Sequence, residues 1–459
     1  MPMKFNAGIL LQRLRDLQGE MKAGRYLVGF SGGLDSTVLL HALVATRGEH
    51  ATPIVAVHVN HALHPDAAAW ERQCRRTARE LAVEYVGREV SVVDDAGIGL
   101  EAAAREARYG ALKALTQGGD VLLSAHHEED QAETLLLNLM RGSGLAGLAG
   151  IGAIQHFGSG LLIRPLLGIS RRAIERYARE SGLEWIDDPA NADLRFDRNY
   201  LRQEILPRLR QRWPAVSARL SQTSELASEA SALLDELGRL DVAGIRGGEV
   251  GGRPDRLDIA PLQRLGGARQ RNLLRYAIRA CGFPQAPSSR LRQIQNELLT
   301  ARIDAQPLVR WHGAEARRYR EKLYLLPEAD RQQRLPGAMP LLLADGREVE
   351  LGPGLGSLLL DRAFDGGVAL DPRVVTQGLQ IRFRQGGERI RPAGRNVTRP
   401  VKKLLQERGV LPWMRRSVPL LYAGEMLVAV ADLWIAADCA QERGISVRWI
   451  GKPPMFHAE

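Results

Sequence analysis

Between residues 25 and 210 short apolar runs alternate with longer stretches of helical period. YLVGF (26–30), PIVAVHV (53–59) and VLLSA (121–125) are apolar almost throughout and have strand length. Residues 34–46, 65–81 and 101–116 space their apolar positions as a helix does. Strands alternating with helices predict a parallel sheet covered on both faces, a doubly wound α/β domain of Rossmann-like type. In such sheets ligands bind at the carboxyl ends of strands near the switch in strand order, so residues just after these three runs are expected to line one crevice.

The pattern changes near Trp213-Pro214, where long helical stretches rich in Leu, Ala and Arg begin and run to about Arg320. They predict a mainly helical second domain, broken by a loop at 244–256 where Gly and Pro are dense. After a further break at 327–340, LQIRFR (379–384) and MLVAVADLWIA (426–436) show period two and predict a small α+β third domain. The expected domains are 1–212, 213–326 and 341–459.

Composition narrows the class. With 45% apolar and 25% charged residues the chain is an ordinary globular one. Its cysteines, Cys74, Cys281 and Cys439, are far apart with no CxxC spacing, which argues for a reducing compartment and against a structural metal or disulfide framework. The N-terminus reads as an amphipathic helix, and no run reaches the roughly 18–20 apolar residues that span a bilayer. A cytoplasmic location without membrane partners is expected. The net charge of +10 favours a polyanionic partner.

The strongest chemical signal is Ser31-Gly32-Gly33-Leu34-Asp35-Ser36, directly after YLVGF and directly before an apolar helix. Successive glycines allow close backbone approach, and the helix start supplies free N–H groups and a positive dipole end, which together cradle phosphate. No lysine follows, so this is not the GxxxxGK[ST] loop. Glu101, Arg105 and Arg108 share one face of a predicted helix, as a solvated row of ion pairs would too. His126, Asp130 and Glu133 in HHEEDQAET share another face, which is also open to a transition metal. His58, Asn60 and His61 end the second strand, where structural histidines are equally at home. Asp188, Asn191, Arg198, Asn199 and Arg202 form a run in which helix capping accounts for part of the pattern.

SGGLDS after a strand is the signature of the PP-loop superfamily, which cleaves ATP between the α- and β-phosphates. Together with HVNHALHPDAAAW, LEAAAREARY, SAHHEEDQAETLLLNLMRGSG and WIDDPANADLRFDRNYLR, it makes the chain resemble the tRNA(Ile)-lysidine synthetases. The resemblance is close over 25–210 and looser beyond. It implies a ligase that uses ATP and Mg2+ to adenylate C2 of the wobble cytidine in the CAU anticodon of tRNA(Ile). The ε-amine of free L-lysine then displaces AMP. Ser31, Gly32, Gly33, Leu34, Asp35, Ser36 and His58 would bind ATP, with Asp35 near the metal. Arg105 and Arg108 would stabilise charge at the α-phosphate. Asp130 would position the nucleophile or accept its proton. His126, Glu129 and Glu133 would meet the lysine, Glu133 holding its ammonium; Glu129 stands where the family pattern has a shorter Asp or Asn.

Asn191, Arg198, Asn199 and Arg202 resemble the family's tRNA-contacting segment. GGERIRPAGR and VKKLLQERGVLPWMRR resemble its tRNA-binding C-terminal domain, which marks Arg389, Arg391, Arg395, Lys402 and Lys403. Residues 381–420 carry eleven basic residues against two acids, far steeper than the whole-chain 63 to 53. Other superfamily members fit less well: the thiolases need paired cysteines and the amidotransferases an N-terminal cysteine domain. A non-catalytic nucleotide sensor that binds nucleic acid would need the loop but not Arg105, Asp130 and Glu133 together.

Overall fold

A computed structural model describes residues 4–61, 64–91, 100–245, 254–302, 305–328, 337–341, 348–361, 368–376, 378–453 and 455–456, with side chains at 100–102, 190–191 and 340–341 left aside. The chain divides into two compact units, Met1–Asp235 and Glu236–Glu459.

The first unit is built on β1 (Tyr26–Gly29), β2 (Ile54–Asn60), β3 (Glu84–Glu89), β4 (Val121–Leu123), β5 (Ile154–Phe157) and β6 (Gly160–Ile163). They lie in the order β3-β2-β1-β4-β6-β5. All neighbours run parallel except the β5–β6 hairpin at one edge. Val28 of β1 faces Ala56 on one side and Leu123 on the other, so the chain leaves β1 in one direction and later returns to its other flank. The switch in strand order therefore falls at the carboxyl end of β1, where such sheets bind ligands.

Helices α1 (Ala7–Gln18), α2 (Leu34–Val44), α3 (Ala67–Glu80), α4 (Leu100–Leu115), α5 (Glu128–Met140), α6 (Leu145–Leu148) and α7 (Arg171–Glu180) follow in chain order. After α7 come α8 (Asp197–Tyr200), a π turn at Leu201–Ile205, α9 (Leu206–Arg212) and α10 (Val216–Ile245). One sheet face packs Val28, Leu39, Leu43 and Ile163; the other packs Leu27, Val57, Leu112 and Leu162. The three apolar runs thus become central strands buried on both sides, as their lack of alternation predicts. β3 was not predicted: EYVGRE is an edge strand, half-buried and charged, without an apolar run to announce it.

The expected boundary at 212/213 falls between α9 and α10, whereas the division between the units falls within α10. The middle region is helical at Ile259–Arg264, Gly267–Ala280 and Ser288–Gln293. It also carries a four-stranded antiparallel sheet, ordered Arg256–Asp258, Lys322–Pro327, Ala314–Tyr319, Leu308–Trp311, which the sequence reading did not contain. Leu273, Leu291, Val309 and Leu323 close its core. The loop predicted at 244–256 lies largely outside the described residues. In the C-terminal region, LQIRF becomes the strand Leu379–Phe383 and MLVAV the strand Met426–Val430, in one antiparallel sheet over a core that includes Ile381, Leu404 and Val428.

Candidate active site

The loop after β1 folds as its glycines require. Gly32 has φ +82°, and a Cβ there would lie 2.5 Å from Ile186 Cδ1 and 2.7 Å from Cys74 Sγ. Only glycine fits. The Ile186 N–H donates to the Gly32 carbonyl at 2.9 Å, so the segment following α7 braces the loop from outside. Ser36 Oγ donates to the Gly33 carbonyl at 3.0 Å and lies 3.1 Å from Ser31 Oγ. The N-cap of α2, Gly33, caps with no side chain, which leaves first-turn N–H groups open to an anion.

A cavity of about 960 Å³ opens here, lined by Ser31, Gly33, Leu34, Asp35, Ser36, His58, Arg108, His126, Glu129, Asp130, Glu133, Arg171, Arg202 and Arg210, among others. The ends of β1, β2 and β4 therefore do meet in one crevice. Gly32 stands behind the lining, held by Ile186. Arg108 reaches the cavity, and burial lowers its pKa. Arg105, three residues earlier, is exposed over the Tyr109 ring, 5.1 Å from its centroid, and the side chain of Glu101 lies outside the described residues. His58 is buried with Nδ1 2.9 Å from the Phe30 carbonyl, and its pKa is lowered by burial.

The sequence did not single out His127, yet it is the hub of the acidic side. Only 1% exposed, it lies 3.2 Å from Glu129, 3.5 Å from Asp130 and 3.7 Å from Asp35. Burial opposes its charge, but the Asp130, Glu129 and Asp35 carboxylates outweigh it and lift the imidazole to about 9. Asp130, which caps α5 by accepting from the His127 N–H at 3.0 Å, is held down at about 2 against its burial by the positive charge of His127 and Arg202. Asp35 moves up, because burial outweighs His127. His126 shares Asp130 with His127 but is set among guanidiniums as well. Burial, with help from Arg164, Arg198 and Arg105, drives it down to about 3, while its Nδ1 lies 2.7 Å from Ser124 Oγ.

Glu133 is fully buried, and both its oxygens are engaged: Arg202 Nε donates at 2.7 Å and Arg198 Nε at 3.2 Å. Arg202 also reaches Asp130 at 3.1 Å. These two arginines, expected to meet tRNA, are thus turned onto the carboxylates expected to meet lysine. Asn199 donates to the Asp193 carbonyl, and Asn191 falls among the side chains not described. Glu129 accepts from the Arg171 N–H at 2.8 Å and from Arg210 at 3.3 Å, tying α5 to α7 and α9. A shorter aspartate would span these partners less readily.

In the second unit Lys402 and Lys403 stand exposed on the helix Val401–Glu407. Arg389 and Arg395 are also exposed, Arg389 donating to the Thr398 carbonyl, while Arg391 pairs with Asp438.

A parallel sheet with a lysine-free glycine loop at its switch point, faced by acids and arginines, defines an ATP-using PP-loop enzyme, and residues 8–209 match the family profile of the PP-loop domain. Residues 257–324 match that of the TilS substrate binding domain and 379–449 that of the TilS substrate C-terminal domain. A tRNA(Ile)-lysidine synthase of Alkalilimnicola ehrlichii is 42% identical over 90% of this chain and 91% of its own. That of Coxiella burnetii is 40% identical over 89% of each, and that of Salmonella paratyphi B 38% over 94% and 97%. The chain belongs to the tRNA(Ile)-lysidine synthase family, ligases that form a C–N bond at the expense of ATP.

Proposed function

We propose that the cavity adenylates C2 of the wobble cytidine of tRNA(Ile) with a CAU anticodon and then joins it to free L-lysine. The observation that carries this reading is the placement of Glu129 and Asp130 in one cavity with an open phosphate cradle that itself carries Asp35. The C2 oxygen attacks the α-phosphorus, the bond to the β-phosphate breaks, and pyrophosphate leaves. The loop N–H groups, Ser31 and Ser36 hold the departing group, and Arg108 meets charge at the α-phosphate, with Arg105 outside it. The lysine ε-amine, having given up a proton to solvent, then bonds to C2 as the C2–O bond breaks and AMP departs.

Asp130 remains ionised at neutral pH, which suits it to anchor an ammonium rather than to keep a proton. Glu129 and His126 complete that side. Glu133, with both oxygens held, positions Arg198 and Arg202 around it. Asp35 Oδ1 is buried with no hydrogen-bond partner, an oxygen donor of the kind Mg2+ takes, so Asp35 would hold that ion. When bound, Mg2+ supplies positive charge to the phosphates. The exposed Arg389, Arg395, Lys402 and Lys403 are proposed to contact tRNA phosphates, with Arg391 beside them. No helix among the described residues is long and apolar enough to cross a membrane, in keeping with a cytoplasmic enzyme.

The test is AMP release from ATP, measured with and without tRNA(Ile) and lysine. AMP formed only when both are present supports the ligase. AMP formed with neither, or none at all, overturns it.

A further inference from the structure

The charge in the cavity is unevenly distributed. Its carboxylates come from the loop, from α5 and from residues 187–188, whereas the lining between Val57 and Trp70 contributes none. On that side His64 and Trp70 lie ring over ring, centroids 4.5 Å apart and planes 16° from parallel. Ala67, Trp70, Cys74 and Ala78 are spaced three and four apart and share one face of α3. Cys74 and Ala78 on this face are wholly buried in the core, while Ala67 and Trp70 line the cavity. The apolar stripe of α3 therefore runs out of the core into the cavity, and its last large member is an indole already stacked on an imidazole. Trp70 is only partly buried and reaches the cavity, unlike the wholly buried Cys74 and Ala78 of the same face.

We propose that the His64–Trp70 pair is a stacking platform for a base of the tRNA substrate, an inference that rests on the reaction proposed above. Asp66, the acid beside the pair at 3.7 Å from His64 Nδ1, does not line the cavity; the stacked rings suit a flat π face, and base stacking on aromatic side chains is largely indifferent to base identity. Two bases enter the reaction, and exposure separates them. His64 keeps 33% of its side-chain surface, whereas His58, at the end of β2, keeps only 7% overall. A base still joined to a polymer enters from the more open side while the polymer stays outside, as in enzymes that extrude their target base. Adenine carries no such tether.

The test compares Trp70→Phe with Trp70→Leu in steady-state AMP release with tRNA(Ile), lysine and ATP, alongside Trp70→Ala. Phe and Leu both fill the position with apolar bulk, so the difference between them isolates the π face. The expected result is a tRNA KM raised roughly tenfold in the Leu and Ala variants and largely restored in Phe, with the ATP KM unchanged. An equal tRNA KM in Leu and Phe overturns the platform, and so does a rise in the ATP KM instead, which would assign the pair to adenine. Wild-type protein that releases no AMP overturns the reaction itself, and the platform with it.

Discussion

His126 and His127 are chain neighbours, yet His127 sits among carboxylates and His126 among guanidiniums. The first is lifted to about 9 and the second lowered to about 3 from the ordinary 6.5. His127 is raised on folding, so its contribution to stability is complete below pH 6.5 and disappears as pH climbs toward 9, on the order of 3 kcal/mol. His126 is lowered, so its contribution is present above pH 6.5 and is lost as pH falls from there toward 3. Urea midpoints should therefore decline on both sides of pH 6.5, and His127→Gln should flatten the alkaline limb alone. A variant with an unchanged alkaline limb would show that His127 is neutral in the native state. Asp35 makes a simpler case. Asp35→Asn should cut tRNA-dependent pyrophosphate release about 100-fold or more with little change in melting temperature, because it removes charge from the cradle and not bulk from the core. Full activity in the folded variant removes Asp35 from the mechanism.

At the scale of elements, α5 and the α8–α9 segment are held together by a carboxylate far from its partners in sequence. Arg198 and Arg202 lie 65 and 69 residues from Glu133. Glu133→Gln removes the charge from a fully buried group whose two guanidinium partners remain, which should cost about 3 kcal/mol. It should also raise the lysine KM more than the ATP KM, because Arg202 also holds Asp130. An unaltered melting temperature and an unaltered lysine KM would together remove Glu133 from this role. These pairings mark the limit of what the sequence conveys. Helical spacing placed His126, Asp130 and Glu133 on one turn-by-turn face, and the glycine loop announced the cradle. Arg171, Arg210 and Ile186 reach the site from α7, α9 and an irregular segment, with no local period to reveal them. The same limit hid β3 and the antiparallel sheet at 256–327, whose strands are only three to six residues long.

Over the whole molecule, the eleven basic residues at 381–420 prove to be of two kinds. Arg382, Arg384, Arg391 and Arg399 are matched by Glu425, Glu388, Asp438 and Glu407, while Arg415 is buried and donates to the Val410 carbonyl. Lys402 and Lys403 are exposed and adjacent. Replacing both with alanine should weaken tRNA binding and flatten its salt dependence by roughly 0.7–0.9 log units per lost phosphate contact, with ATP affinity unchanged. An unchanged salt slope and tRNA KM would move the tRNA surface elsewhere. Composition conveyed the excess of charge; which cations remain available depends on ion pairs that only the fold brings together.

Trp413 joins the C-terminal region to the antiparallel sheet of the middle region. Its ring meets Tyr319 and Tyr324 edge to face at 6.3 and 5.1 Å, and Arg415 donates to the Tyr319 hydroxyl at 3.2 Å. Arg256 donates to the Phe456 carbonyl, so the seam is joined at a second place. The two downstream family profiles end and begin on opposite sides of this seam, at 324 and 379, as if they were separate parts. Heat should not separate them. Calorimetry should show residues 257–324 and 379–449 melting in one cooperative step, and Trp413→Ala should split that step in two. A single step would make the two profile regions one foldon.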